Sequence, residues 1–244
     1  MNFSLRSFSH GLAVWVFTVL SACSAQQMAS ASIPDLKAAQ ISTSPTNVKP
    51  DVATGPHATS YPSCVSSDPN HLCLGLKIVS YLDSSGVPVL TESDAITLVN
   101  GMNANWGQCN IGFQLEVFEV INPADKGLNY SPDWQTETYT IRGVFADPSR
   151  FLIAAVGPWT VSTIAVTTMP GSGVYGTVVD KQYARNPLTV GHELGHYQGL
   201  YHVDDTSNLM SAFIGSDTKA LTAEQCSVSR KTDLANWSAM LRRP

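Results

Sequence analysis

The sequence is poor in charged residues and has no cluster of basic ones. Aspartate, glutamate, lysine and arginine together make up 14% of the 244 residues, and the formal net charge is −5. Domains that bind DNA or RNA carry a basic patch or stripe on one face. Because no run of lysines and arginines stands out here, we expect no nucleic-acid partner.

Long apolar runs are also scarce. The run at residues 12–20 is too short to cross a bilayer as a mature helix. It follows Arg6 and ends in small residues before Cys23, which predicts a targeting segment over residues 1–23. Small residues followed by cysteine resemble a bacterial lipobox. This resemblance implies that Cys23 is lipidated, and that the exported protein is anchored at the outer membrane, in the periplasm or at the cell surface. A plain secretory signal is the alternative.

Cysteine is limited to five residues. If Cys23 carries lipid, the four that remain are an even number in an exported protein, which predicts two disulfides. Of the three possible pairings we favour Cys64 with Cys73, which closes a short loop, and Cys109 with Cys226, which ties two helices together. An alternative role for Cys64 is a cysteine switch that blocks a metal, although the flanking basic residue of that motif is absent.

Composition divides the chain after the targeting segment. Residues 24–63 are rich in serine, alanine, threonine and proline and have few large apolar side chains, which predicts a flexible tether. A short propeptide is the alternative for the same stretch. Residues 64–244 have the length of one domain with a sizeable core, and no internal repeat is apparent.

Three of the six histidines lie close together, and the chain reads HELGHYQGLYH from His192 to His202. On a helix, His192 and His196 lie on one face, one turn apart, so both imidazoles can reach one ion. Glu193 is the candidate to take a proton from a metal-bound water. Gly199 can end the helix in a left-handed conformation, so that His202 returns as a third ligand. Three histidines with one open position are typical of catalytic zinc.

This spacing resembles the extended zinc signature of the metzincin metalloproteases. The resemblance implies one catalytic Zn²⁺ bound by His192, His196 and His202, with Glu193 as general base. It also implies a methionine in a tight turn beneath the metal, and Met210 fits that role; an ordinary core methionine is the alternative. No tyrosine lies at residues 211–214, so a tyrosine ligand after the methionine is not expected.

Hydrophobic periodicity predicts a strand over residues 74–82, a helix from Thr91 to Cys109, and a second strand over residues 113–121. Strand, helix and strand in this order indicate a parallel crossover unit. Further strands are predicted at residues 151–156 and 162–168.

Helix caps locate two more helices. Asn186 and Pro187 are the N-cap and first residue of the helix that carries the histidines, and Gly195 inside it would allow a close approach by a neighbouring element. Thr222 and Gln225 form a capping box that begins the last helix. Its buried stripe is expected at Cys226, Leu234, Trp237 and Leu241.

The order of these elements resembles the metzincin catalytic domain. The resemblance implies an α/β fold: a twisted, mostly parallel sheet with an antiparallel edge strand, an active-site helix, a methionine turn and a C-terminal helix. In that family the edge strand binds extended substrate by β-augmentation. We place it at residues 173–180, with an ordinary surface hairpin as the alternative. The substrate-binding residues would be Gly173, Val174, Tyr175, Gly176 and Thr177. Phe213 suggests an apolar pocket beside the scissile bond.

The sequence therefore predicts a lipid-anchored, monomeric zinc endopeptidase that hydrolyses a protein or peptide substrate. One alternative is a surface binding module that keeps the fold but cleaves nothing; the intact Glu193 argues against it. A second alternative is a zinc hydrolase that acts on a non-peptide component of the envelope.

Overall fold

The structure, a computed structural model, describes residues 61–243. The predictions for the targeting segment, for Cys23 and for residues 24–60 lie outside this range. Within the described residues, no helix combines the length and the hydropathy needed to cross a bilayer.

One mixed sheet organises the fold. Its strands are β1 (Leu72–Tyr81), β2 (Ile111–Ile121), β3 (Phe151–Val156), β4 (Ala165–Thr167), β5 (Thr177–Asp180) and β6 (Leu241–Arg242). The strand order is β2-β1-β3-β5-β4, and β6 pairs with β1. The β1–β2, β1–β3 and β3–β5 pairs are parallel, whereas β4 and β6 are antiparallel to their neighbours. The predicted α/β class with a mostly parallel sheet is confirmed.

Within residues 61–243, four α-helices accompany the sheet. They are α1 (Glu92–Trp106), α2 (Glu137–Phe145), α3 (Pro187–Tyr197) and α4 (Ala223–Asn236). Short 3-10 helices lie at Gly107–Cys109, Pro123–Lys126 and Ser238–Met240. The predicted crossover unit is β1–α1–β2, in which the two strands are adjacent and parallel. Strand β1 is buried almost throughout because it lies between β2 and β3, and buried parallel strands read as continuous apolar runs.

The predicted helix starts are confirmed by their hydrogen bonds. The side chain of Thr91 accepts from the backbone of Asp94 in a capping box, and Thr222 does the same with Gln225. The side chain of Asn186 accepts from the amide of Leu188 ahead of α3. These caps satisfy donors that the first turn of a helix cannot pair internally, so local sequence fixes where each helix begins.

The edge strand lies elsewhere than predicted. Strand β5, which begins at Thr177, runs parallel to β3 and lies between β3 and β4. Gly173, Val174, Tyr175 and Gly176 form the segment that leads into it. The antiparallel strand at this end of the sheet is β4. Strand β5 is fully buried and β4 is half-buried, as expected for an interior strand beside an edge strand. Both sequences are short and rich in β-branched residues, so the sequence alone did not distinguish the edge strand from the interior one.

Helices α4 and α2 also depart from expectation. In α4 the buried residues are Ser229 and Asp233, whereas Leu234 is 48% exposed. The helix ends before Trp237, and Leu241 belongs to β6. The predicted stripe was therefore wrong at Leu234 and extended past the end of the helix. Helix α2 was not predicted, because its sequence is short and rich in polar residues.

Both disulfides pair as favoured from the sequence. Cys64 is bonded to Cys73 and Cys109 to Cys226, and the second pair lies 117 residues apart. It joins the 3-10 turn after α1 to the first turn of α4. Because Cys64 is in a disulfide, it is not free to act as a cysteine switch.

Candidate metal centre

Helix α3 is held inside the protein and provides a rigid base for its histidines. Eight of its eleven residues are buried. The indole nitrogen of Trp106 in α1 donates to the carbonyl oxygen of Gly191 at 3.1 Å. A helix that is buried nearly all round can hold its side chains in fixed positions, which a metal site requires.

The three histidines of the motif meet at one point. The Nε2 atom of His202 lies 3.1 Å from Nε2 of His192 and 3.1 Å from Nε2 of His196. The three ligand atoms all lie within 4.8 Å of one another. His192 is buried, His196 is half-buried and His202 is exposed, so the cluster opens to solvent on the side of His202.

Backbone carbonyls set the orientation of the two helical rings. Nδ1 of His192 lies 2.7 Å from the carbonyl oxygen of Leu209, and Nδ1 of His196 lies 2.8 Å from that of Leu200. A carbonyl oxygen only accepts, so in the neutral rings the hydrogen is on Nδ1 and the lone pair is on Nε2. This is the usual arrangement of a metal-binding histidine and its outer partner.

The donor set fits a Zn²⁺ ion. Nε2 of His202 carries at most one hydrogen, so it can satisfy only one of the two lone pairs that face it, whereas a cation at the centre satisfies all three. Four-coordinate zinc with bonds of 2.0–2.1 Å separates its nitrogen ligands by about 3.3 Å. The observed 3.1 Å contacts are close to this value. The residues present could therefore hold a metal ion of this kind.

Burial also keeps the rings in the form that binds a metal. The pKa of His192 is lowered to about 4, first by burial and then by the neighbouring His196. Burial likewise lowers the pKa values of His196 and His202. The three imidazoles are therefore neutral near pH 7, as metal ligation requires.

The turn after α3 brings the third histidine into place. Gly199 has φ of +82°, the left-handed conformation expected for it. The amide of Leu200 then donates to the carbonyl oxygen of Gly195 at 2.9 Å. The amide of Val203 donates to the carbonyl oxygen of Met210 at 3.0 Å. These bonds reverse the chain and place His202 opposite the helix.

Met210 lies in a tight turn against the underside of α3. It is fully buried, and its amide donates to the side chain of Asn208 at 2.9 Å. A Cβ atom at Gly195 would overlap its Sδ and lie 3.0 Å from its Cε. Gly195 therefore permits the close approach that its position suggested. Leu209, next to the methionine, supplies the carbonyl that orients His192, so the turn both supports the helix and orients a ligand.

Glu193 is a buried carboxyl group beside the first histidine. It is 6% exposed, and burial raises its pKa to about 7, partly offset by a hydrogen bond from the Thr167 hydroxyl and by the positive charge of Arg142. Its Oε2 atom makes no hydrogen bond within the described residues. A carboxyl group with a pKa near 7 can both take up and release a proton at neutral pH.

Sequence reasoning missed the neighbours of Glu193. Thr167 lies on β4, Thr177 on β5 and Arg142 on the unpredicted α2. The predicted strands at 162–168 and 173–180 contained Thr167 and Thr177, but nothing in the first strand singled out Thr167. Phe213, which suggested an apolar pocket beside the scissile bond, has a side chain that is 81% exposed.

A shallow cavity of about 560 Å³ lies beside the third histidine. His202, Tyr201, Val203 and Val228 are among its lining residues. Tyr201 is itself 76% exposed. A mixed polar and apolar recess therefore adjoins the open side of the histidine cluster.

Comparison with known proteins finds similar solved structures but no matching protein-family model and no matching curated protein. Among solved structures, the chain is similar to metalloproteinase-II from Bacteroides fragilis, with a TM-score of 0.48 and 16% sequence identity. The match covers 72% of this chain and 55% of that one. The function of the site therefore has to follow from its own residues.

Proposed function

We propose that this protein is a zinc-dependent endopeptidase of metzincin type, which cleaves protein or peptide substrates. The observation that carries the proposal is the convergence of three histidine Nε2 atoms within 4.8 Å, with Glu193 directly after the first ligand. In His192 and His196, Nδ1 donates to a backbone carbonyl oxygen, which leaves the lone pair of each ring on Nε2. Such a site holds a metal with one position left open for chemistry.

Each residue of the site would have a separate role in hydrolysis. His192, His196 and His202 would hold the ion. A bound Zn²⁺ supplies Lewis acidity, which polarises a carbonyl oxygen and lowers the pKa of a coordinated water. Glu193 accepts a proton from the attacking water and returns it to the nitrogen that leaves.

Strand β4 is the element proposed to bind substrate backbone. It pairs with β5 on one side, and no other described strand pairs with it. Its residues are half-buried, so the outer edge is accessible. An extended peptide can add to such an edge through main-chain hydrogen bonds. Helix α3, which carries the proposed base Glu193, packs against β4, and this packing supports the proposal.

The central experiment measures zinc and cleavage in the same preparations. We expect about one zinc per chain and cleavage of unfolded casein that stops with a chelator and returns with Zn²⁺. Glu193→Ala should keep the zinc and lose cleavage by roughly 10²- to 10⁴-fold. His196→Ala should lose both zinc and cleavage.

Two other outcomes would replace the proposal. Zinc binding with no cleavage of any peptide library favours a binding module. Chelator-sensitive hydrolysis of envelope material without peptide cleavage favours a non-peptide hydrolase. A Glu193→Ala variant that cuts as fast as the wild type would refute the proposed role of Glu193.

We also propose that the protein is exported and anchored through a lipid on Cys23. The support is the lipobox-like sequence, together with two disulfides, which are typical of oxidising compartments. Cys23→Ser should move the protein from the membrane fraction to the soluble fraction. Unchanged membrane association would argue against lipidation.

A further inference from the structure

We infer that Arg142 is a positioning residue for the substrate edge. From helix α2 it holds β4 to β5, and it thereby keeps the outer main-chain groups of β4 extended for a peptide. The inference rests on the proposed function, in which β4 binds substrate backbone. Whether the arginine holds the strand can be measured without any cleavage.

Arg142 bonds to one carbonyl group of each strand segment. Its Nη2 atom donates to the carbonyl oxygen of Val166 in β4, at 2.8 Å. Its Nε atom donates to the carbonyl oxygen of Gly176, the residue before β5, also at 2.8 Å. The donors of a guanidinium form a rigid planar fork, so two bonds from one arginine fix the two segments relative to each other and to α2.

The register of β4 and β5 shows which side of β4 the arginine holds. Val166 is directly opposite Val178, and at the next such position the amide of Asp180 donates to the carbonyl oxygen of Ile164 at 3.0 Å. In an antiparallel pair, opposite residues alternate between those that exchange hydrogen bonds and those that do not. The carbonyl group of Val166 therefore points towards β5.

The same alternation makes the two flanking residues face outward. Ala165 and Thr167 lie on either side of Val166 and occupy the positions that exchange no hydrogen bonds with β5. Their N–H and C=O groups point away from β5, on the side where no other described strand pairs. These are the groups to which an extended peptide would bond. Arg142 binds the inner side, so it holds β4 without occupying them.

The surroundings of Arg142 commit it to these two bonds. The residue is 7% exposed, and no ion pair among residues 61–243 involves it. A buried cationic group needs hydrogen-bond acceptors, and the two carbonyl oxygens provide them. A Cβ atom at Gly176 would lie 2.8 Å from Cγ of Arg142, so glycine at this position lets the side chain reach the strands.

The short length of β4 gives the arginine its importance. The strand has three residues and, within the described sheet, pairs on one side only. A loose strand would have to be ordered when a peptide binds, and the lost conformational freedom weakens binding. The chemistry at the histidines and Glu193 would be unchanged once the peptide is bound. Loss of the fork should therefore raise KM and leave kcat.

The test removes the fork and keeps the charge. Arg142→Lys retains the positive charge near Glu193 but has a single ammonium group in place of the planar fork. We expect it to raise KM for unfolded casein roughly tenfold, with kcat within about twofold of the wild type and zinc content unchanged. Arg185→Lys is the matched control, because Arg185 bonds to Asp94 at 3.0 Å on the surface, and it should keep the wild-type KM.

Two further readouts do not depend on cleavage. In the Glu193→Ala background, fluorescence anisotropy measures the binding of labelled unfolded casein, and adding Arg142→Lys should weaken it by the same factor of roughly ten. In the metal-free protein, hydrogen exchange at the amide of Val178 should be faster in Arg142→Lys and unchanged in Arg185→Lys.

Several results would overturn the inference. They are an Arg142→Lys variant with the wild-type KM and casein affinity, a loss confined to kcat, or unchanged hydrogen exchange at Val178. If Arg142→Lys does not fold by circular dichroism, Arg142→Gln, which keeps one donor group, replaces it, and a wild-type KM in that variant counts equally against the inference.

Failure of the proposed function has a different signature. A wild-type protein that cleaves no peptide refutes the peptidase, while casein binding still decides whether Arg142 prepares β4 for a peptide. Absence of casein binding in every variant overturns both.

Discussion

Helices α3 and α4 each carry one buried carboxyl group, but the surroundings of the two groups differ. Glu193 in α3 directly follows the first of the three convergent histidines and has the positive charge of Arg142 nearby. Asp233 in α4 is fully buried, and neither of its oxygens has a hydrogen-bond partner within the described residues. Burial raises the pKa of both groups. A buried acid is therefore not in itself a sign of catalysis; the neighbouring set of three histidines distinguishes Glu193.

The two helices are also attached by different means. Helix α3 is held by burial on most of its surface, whereas α4 has two buried residues among fourteen. Specific bonds hold α4 instead: the Cys109–Cys226 disulfide, and the indole of Trp237 donating to the carbonyl oxygen of Tyr197 at 2.8 Å. We expect α3 to respond to changes in packing and α4 to the loss of individual links.

The largest contrast should come from neutralising each buried acid. Glu193→Gln should lower kcat by roughly 10²- to 10⁴-fold with zinc retained, because a neutral amide cannot take up the proton. Asp233→Asn should leave kcat within about twofold of the wild type, since Asp233 is not one of the residues that form the histidine cluster. Steady-state kinetics on both variants measures the contrast. Equal losses of kcat in the two variants would mean that burial of a carboxyl group, and not its position beside the histidines, determines the effect on catalysis.

Removing the long disulfide should have the largest effect on stability. In the chain-entropy description, a loop of 117 residues contributes about 5 kcal/mol and a loop of nine residues about 2.6 kcal/mol. The double variant Cys109→Ala with Cys226→Ala should therefore lower Tm more than Cys64→Ala with Cys73→Ala does. Thermal unfolding by circular dichroism compares them. A smaller effect of the long loop would show that α4 is held mainly by its other contacts.

Two glycines of α3 provide a matched test of its packing. Gly195→Ala would drive a methyl group into the buried Met210, and we expect a loss of about 1–3 kcal/mol in the free energy of unfolding. At Gly191 the nearest atom would be Nε1 of Trp106 at 3.5 Å, an ordinary contact. Gly191→Ala should be neutral or gain up to about 1 kcal/mol from helix propensity. Denaturant unfolding measures both, and similar values would contradict the close contact under the histidines.

The smallest expected effect is a pH dependence at α4. Burial raises the pKa of Asp233, so the folded protein binds a proton that the unfolded chain releases at lower pH. Stability contributed by this group is present below the unfolded pKa of about 3.9 and is lost as pH rises through the folded value. Asp233→Asn should therefore raise Tm by roughly 2–4 °C at pH 8 and change it little at pH 4. Equal shifts at both pH values would exclude titration of Asp233 as the cause.

The features that the sequence predicts are those fixed within a few residues. Capping residues such as Thr91, Asn186 and Thr222 act on the amides that follow them, so helix starts could be located directly. The histidine motif is equally local, because helical spacing and one left-handed glycine bring its three rings together.

Features fixed by distant contacts could not be predicted. Whether β4 or β5 is the edge strand depends on the order of the whole sheet, and both are short β-branched segments. Arg142 belongs to a helix whose own sequence gives a weak signal, and its partners are carbonyls 24 and 34 residues away. Strand β4 lies against the helix that carries Glu193 only because the sheet and α3 pack together. The ligands were therefore visible in the sequence, but the surroundings of the base were not.

The Cys109–Cys226 disulfide spans the whole candidate site, since every residue from Arg142 to Met210 discussed above lies between its two cysteines. The candidate site is thus enclosed in one covalent ring, which is formed by residues 109–226. One cut anywhere in that ring, by the enzyme itself or by another protease, opens the chain without releasing a fragment. A nicked molecule would migrate as intact protein on a non-reducing gel and separate into pieces only after reduction.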